Sequence, residues 1–228
     1  LGCEYPIMQT AMGWVSTPEL VIASSEAGAF GFLAGAVMSL SEIENSINMV
    51  QDRTQRPFGL NFHFFQPDAP AIVEMAIRKR IKAVSYARSP NKDLIKKLKD
   101  EGILCVPTVG ALSHARKAED LGADMVVIQG SEGGGHTGRV PTKDLLPQVL
   151  ESVNIPVVAA GGFKDGTGLV FALKQGAIGI AMGTRFMMTT DSPVPHSTLD
   201  RYLQVKKGEI TVTDKFDGLP HRLIRNKF

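Results

Sequence analysis

A histidine set among five glycines, in the stretch GSEGGGHTGR at residues 130–139, is the most pointed chemical feature of the sequence. Glycines let a backbone come close to a ligand and aim its N–H groups inward. Gly134 and Gly135 are placed to do so, and His136 is the one side chain of the stretch that exchanges protons near neutral pH. Two more glycine turns follow, AAGGF at 159–163 and AMGTRF at 181–186. Gly161, Gly162, Gly183 and Thr184 have the make-up of an anion cradle, in which backbone amides and a helix N-terminus meet a phosphate. Glycine turns also serve as plain loops, so each pair alone says little; three such turns in succession say more.

Polar side chains end several apolar runs: Gln9, Thr10, Asn61, His63, Thr108 and Gln129. Amides and hydroxyls suit the edge of a planar heterocycle, or they satisfy one another. Met12, Trp14, Met38, Phe62 and Phe64 are candidates for an apolar wall over such a ring, or for simple packing. Cradle, edge and wall together describe a flavin mononucleotide (FMN) site, whereas a sugar phosphate would satisfy only the cradle. Other chemistries fit less well. Glu132 stands without a paired carboxylate, against glycosidase or metal-aldolase chemistry, and no lysine ends a strand to form a Schiff base. No metal site is expected.

These residues need a scaffold that gathers the ends of many strands. Short apolar and β-branched runs occur at 6–11, 30–35, 58–64, 83–87, 104–110, 125–130, 156–162 and 179–186. Helical spacing fills the gaps, for example at 18–26, 41–52, 91–100, 113–121 and 166–174. Gly28, Gly102, Gly122 and Gly176 punctuate the helix ends. Near-continuous apolar strands indicate a parallel sheet covered on its outside, and eight βα units predict an α/β fold, a (β/α)8 TIM barrel. An open doubly wound sheet is the competitor, but it would carry its phosphate-binding glycines after the first strand rather than after the last three. In a barrel the candidate residues all fall at the C-terminal ends of the strands, where active sites form.

The 228 residues are 43% hydrophobic and 21% charged, with a net charge of +2, as in an ordinary globular protein. Clustered basic residues are lacking, so neither nucleic acid nor membrane is an expected partner. Cys3 and Cys105 form no disulfide framework and have no metal-ligand spacing, which suggests a reducing, cytoplasmic setting. No apolar run approaches the roughly 18 residues of a membrane span. The chain opens at Leu1 and closes on HRLIRNKF, and is expected to be a truncated piece of a longer protein. Residues 1–205 are assigned to the barrel and 206–228 to the start of a C-terminal connector or small substrate-side region. Barrels of this size often pair, so a homodimer is a further expectation.

Five motifs in order, YPIMQTAMGWV, RPFGLN, GSEGGGHTGR, VVAAGGFKDGTGL and GAIGIAMGTRF, resemble the nitronate monooxygenase family, formerly 2-nitropropane dioxygenases. The resemblance runs over nearly the whole chain and implies an FMN-dependent barrel. It implies flavin contacts from Ala11, Met12, Gly13 and Asn61, and phosphate contacts from Ala160, Gly161, Gly162, Met182, Gly183 and Thr184. Thr108 stands where several relatives have lysine and Gln129 where several have aspartate, a departure around the flavin ring. His136 matches the family's catalytic base.

The implied reaction is oxidation of a nitronate or nitroalkane to a carbonyl compound and nitrite, with O2 as the second substrate. A second reading keeps FMN and changes the substrate. QTAMGWV, EGGGHTGR, RYLQ and DGLPHRLIR are similar to a steroid-degradation subgroup acting on coenzyme A thioesters, and enoyl-thioester reductases and NADH:quinone reductases share the superfamily. A flavin-binding barrel without catalysis and a flavin-free sugar-phosphate isomerase are the remaining alternatives.

Overall fold

The computed structural model describes residues 1–206 and 208–225. Position 207 and residues 226–228, which belong to the expected connector, lie outside the described residues.

Each apolar run becomes a short strand, and each gap between consecutive barrel strands holds a helix. The succession is β1 Ile7–Gln9, α1 Pro18–Glu26, β2 Phe30–Ala34, α2 Leu40–Arg53, β3 Gly59–Asn61, α3 Ala69–Arg78, β4 Ala83–Tyr86, α4 Lys92–Asp100, β5 Leu104–Val109, α5 Leu112–Asp120 and β6 Val126–Gln129. Next come β7 Gly135–His136, α6 Thr142–Leu150, β8 Val157–Ala160, α7 Gly166–Gln175, β9 Gly179–Met182, α8 Thr184–Met187 and α9 His196–Leu203. A hairpin follows, β10 Ile210–Thr213 and β11 His221–Ile224.

Strands β1 to β6, β8 and β9 form a closed parallel barrel, and closure excludes the open doubly wound sheet. The seam pairs β1 with β9, Ile7 against Ile180, Met8 against Ala181 and Gln9 against Met182. Alternate residues fill the interior, among them Met8, Phe30, Phe32, Val106, Val127 and Val158. Phe32 explains Gly59 on the neighbouring strand, because a Cβ there would lie 2.3 Å from the phenyl ring. The other strand face packs on the helices: Ile43, Ile47 and Val50 of α2 against one half, Leu145, Leu146 and Val149 of α6 against the other.

Local signals agree with these elements. Ser39 and Glu42 form a capping box at the start of α2, Asn91 caps α4 and Asp165 caps α7. Gly176 closes α7 at a φ of 106°, a conformation costly for any side-chain-bearing residue. Among the described residues no helix is long and apolar enough to cross a membrane.

The hairpin was not foreseen. β10 and β11 pair antiparallel, and β11 pairs in turn with β7, the two-residue strand inside the glycine loop. Residues read as a connector therefore make a three-stranded sheet with the loop that carries His136.

Candidate functional site

The loop after β1 is held from below. Gln9 is wholly buried, and its Nε2 donates to Ser16 Oγ at 2.9 Å, to the Phe32 carbonyl at 3.3 Å and to the Thr10 carbonyl. Ser16 Oγ donates to Thr10 O at 3.0 Å and accepts from Met12 N–H at 2.8 Å. Gln9 Nε2 therefore braces the backbone of Thr10–Met12, the mutual satisfaction that the sequence left open, while its buried Oε1 has no partner among the described residues. Ser16, which the sequence did not single out, shares that task.

Asn61 closes β3, and its Nδ2 donates to Ser85 Oγ at 2.9 Å and Ser85 O at 3.1 Å. With Thr10, Ala11, Thr108 and Ser85 it rings a cavity of about 50 Å³ floored by Met8, Phe32, Val127 and Ala181. That volume admits water molecules and not a three-ring heterocycle, so the cavity is the polar floor of the barrel mouth. Ser85 is an addition to the sequence-derived set.

Above this floor the loops after β1, β6, β8 and β9 converge, and glycine is what lets them. A Cβ at Gly183 would lie 3.1 Å from Thr10 Oγ1 and 3.3 Å from Met12 Sδ, and one at Gly134 would lie 3.9 Å from Thr184 Oγ1. Gly161 has a φ of 96°, and its Cβ would meet Thr142 Oγ1 at 2.9 Å and Gly130 O at 3.1 Å. At Gly162 the neighbour is Glu132, 3.2 Å away. The N–H groups of Gly161 and Gly162 have no acceptor among the described residues, nor do the first N–H groups of the helix that Gly183 opens. Ala160 and Met182 lie beneath: the Ala160 carbonyl accepts from Gly130 N–H at 3.1 Å, and that of Met182 from Thr10 N–H at 3.1 Å. Gly13 is exposed at the loop tip.

Glu132 is committed to the scaffold. Its Oε2 accepts from both the N–H and the hydroxyl of Thr142, each at 2.9 Å, at the start of α6. Partial burial pushes the Glu132 carboxyl up, but donors from Thr142 and from its own backbone, with the Arg222 charge, more than offset it and hold the group below the usual range.

His136 is not the lone imidazole that the sequence suggested. It sits directly opposite His221 in the β7–β11 pair, and Thr137 N–H donates to Pro220 O at 3.0 Å. The two imidazole centroids are 3.7 Å apart. Asp217, in the hairpin turn, places Oδ2 2.7 Å from His136 Nε2 and Oδ1 3.3 Å from His221 Nδ1. The His136 hydrogen bond holds the Asp217 carboxyl below its ordinary range. From the other side Gln129 Nε2 donates to His136 O at 2.7 Å, so Gln129 positions the loop. The His136 side chain remains 45% exposed.

The expected aromatic wall is different in kind. Phe62 and Phe64 are buried and pack edge-on, 5.2 Å between centroids, with Phe64 against Tyr86 in the outer core. Met38 packs on that same core. Trp14 is 78% exposed, as are Phe216 at 78% in the hairpin and Phe65 at 58% after β3. His63 stacks on Phe65 at 4.9 Å, and burial holds its pKa below the usual value.

With this geometry in place, the likenesses to other proteins can be set beside it. A sequence profile of the nitronate monooxygenase family matches residues 1–76 and 69–228. The chain is 47% identical over 224 residues to a (3aS,4S,5R,7aS)-5-hydroxy-7a-methyl-1-oxo-octahydro-1H-indene-4-carboxyl-CoA dehydrogenase of Rhodococcus jostii. That alignment covers 98% of this chain but 64% of the dehydrogenase, so the chain spans less than two thirds of that relative. Among solved structures, FabK from Thermotoga maritima superposes with a TM-score of 0.94 at 35% identity, covering 99% of this chain and 72% of FabK. A nitroalkane oxidase from Streptomyces ansochromogenes gives 0.92 at 30%, covering 99% and 78%.

Proposed function

The chain belongs to the nitronate monooxygenase family, and from that premise we propose that it works as an FMN-dependent oxidoreductase on a coenzyme A thioester, with His136 as the proton acceptor. The observation that carries the substrate class is the 47% identity to the R. jostii dehydrogenase, against 30% to the nitroalkane oxidase. The exposed rings of Trp14, Phe65 and Phe216, on segments around the barrel mouth, suit a bulky apolar acyl group.

The residues present fit FMN at its anionic end and along one polar edge. The N–H groups of Gly161, Gly162, Gly183 and Thr184, without an acceptor among the described residues, would meet the phosphate. The backbone of Ala11, Met12 and Gly13, braced by Gln9 and Ser16, and that of Gly134 and Gly135 would border the ring system, with Asn61 and Thr108 at its polar edge. When bound, FMN supplies the two-electron acceptor that no side chain of the barrel provides.

His136 handles the proton. The Asp217 carboxylate beside Nε2 favours the tautomer with its proton on that nitrogen, leaving Nδ1 as the basic atom. A proton leaving the carbon next to the thioester carbonyl goes to Nδ1, and Asp217 stabilises the imidazolium that results. General-base help of this kind is worth about 10² to 10⁴-fold in rate. Gln129 and the β7–β11 pairing position the ring.

A second reading is favoured by the family profile and the nitroalkane oxidase: the same base would serve a nitroalkane, with O2 as acceptor and a carbonyl compound and nitrite as products. Anaerobic mixing of flavin-loaded protein with a hydroxylated bicyclic acyl-CoA, a nitronate, or NADH separates the cases. Bleaching of the flavin by the thioester alone is the expected result; bleaching by nitronate alone overturns the thioester assignment. His136→Ala should slow thioester bleaching by about 10² to 10⁴-fold with flavin content unchanged. An unchanged rate removes His136 from the base role.

A further inference from the structure

Residues directly opposite in an antiparallel pair project from the same face of the sheet, so the pairing of His136 with His221 sets two imidazoles side by side by backbone geometry alone. The turn of the hairpin then brings a carboxylate to both. One donor atom from each of His136, Asp217 and His221 lies within 4.8 Å of the others. Two imidazoles and one carboxylate are the donor set of borderline divalent transition ions. In a tetrahedral zinc site with ligand bonds near 2.0–2.1 Å, neighbouring donors stand about 3.3 Å apart. His136 Nε2 lies 2.7 Å from Asp217 Oδ2 and His221 Nδ1 lies 3.3 Å from Asp217 Oδ1, so small adjustments bring both nitrogens and one carboxylate oxygen around an ion, and the proton by which His221 Nδ1 bonds Leu219 O at 3.2 Å moves to its Nε2 when the metal binds. Partial exposure of His136 and Asp217 leaves an entry path and room for water as a fourth ligand.

We propose that His136, Asp217 and His221 form a reversible site for one Zn2+ or a like divalent ion, and that the metal switches the proton-transfer function off. Zinc takes the lone pair of His136 Nε2, so the imidazole proton moves from Nε2 to Nδ1. Resting on the base role assigned above, this fills the atom that would receive the substrate proton. Metal and substrate proton thus compete for one imidazole, although they use opposite nitrogens.

Calorimetric titration of the flavin-loaded protein with zinc chloride in a non-chelating buffer tests the site without any substrate. One ion per chain is expected, with affinity weakened about tenfold or more in His221→Gln and in Asp217→Asn. His114→Gln, exposed on α5, should leave it unchanged. Equal affinity in the double variant His221→Gln/Asp217→Asn, or no stoichiometric binding by the unaltered chain, overturns the site. Should the variants loosen the hairpin, diethyl pyrocarbonate labelling of the unaltered chain decides. Zinc must protect His136 and His221 while His114 and His196 still react; full labelling of His136 and His221 under saturating zinc overturns the proposal. Zinc that binds without slowing thioester turnover overturns the switching; the His136→Ala bleaching rate, measured alongside, decides whether the base role falls with it, and the metal site stands in either case.

Discussion

The barrel and the three-stranded sheet beside it are both β-structure, yet they stand in opposite relation to water. Every residue of β2 is buried, and each barrel strand is paired on both sides. β10 alternates between exposed and half-buried residues, and both residues of β7 are exposed. Closure removes the edges of one sheet, while the other keeps two. The difference falls along a division of labour. The N–H groups proposed for an anion sit on loops fixed by a dry, close-packed wall, whereas the imidazole proposed as the base rides on a largely exposed sheet, which predicts that this sheet opens without the barrel opening.

The largest expected contrast is in stability. Phe30 is fully buried and meets Phe32 edge-on at 5.1 Å. Phe30→Ala should cost about 3–5 kcal/mol in urea denaturation. Val212→Ala, at a side chain 49% exposed in β10, should cost less than about 0.5 kcal/mol. Comparable losses would mean that the hairpin is as integral to the folded unit as the barrel, and the contrast would fail.

Gly161→Ala should fall between these. It forces a Cβ to within 2.9 Å of Thr142 Oγ1 at a φ of 96°, a strain of about 1–3 kcal/mol, and it crowds the N–H groups assigned to the phosphate. Weaker FMN retention on dialysis, measured beside the unfolding curve, is the expected result. Undiminished retention would move the anion site elsewhere.

The smallest effect concerns acid. The Asp217 carboxyl is held down by the His136 hydrogen bond, so its folded pKa lies below its unfolded one. Its contribution to docking the hairpin is therefore complete above the ordinary carboxylate range and is lost as pH falls through the lowered value. Hydrogen exchange at the Thr137 amide, which bonds to Pro220 O, should quicken over that window, while the Ile128 amide in the barrel keeps its protection. Asp217→Asn should abolish the dependence at Thr137. Parallel changes at both amides would show that the two sheets open as one.

What the sequence discloses follows the same division. β-branched runs, capping residues and closing glycines are local signals, and they place all eight barrel strands and the late glycine turns. Side-chain direction is less local. Gln9 stands at a strand end as expected, but Ser16, seven positions on, turns its amide inward. Phe62 and Phe64 follow β3 in a segment that packs the two rings on each other, with Phe64 against Tyr86, in the outer core instead of over the barrel mouth. The hairpin is the clearest case. ITVT at 210–213 carries the alternation of a half-buried strand and could have been recognised. Its consequence for His136 could not, because the partner of His221 is a two-residue strand inside a glycine loop 85 positions earlier. Asp217 enters the site only through that long-range pairing.

The seam between β1 and β9 also fixes an order of events on the ribosome. Residues 7–9 leave the exit tunnel before residues 179–182 and find their second neighbour only once those have followed. Until then the nascent chain is a curved ribbon with both margins bare, open to strand exchange with a neighbour on the same message. A pause in translation before residues 179–182 should therefore raise the share of chains that associate before the ring closes.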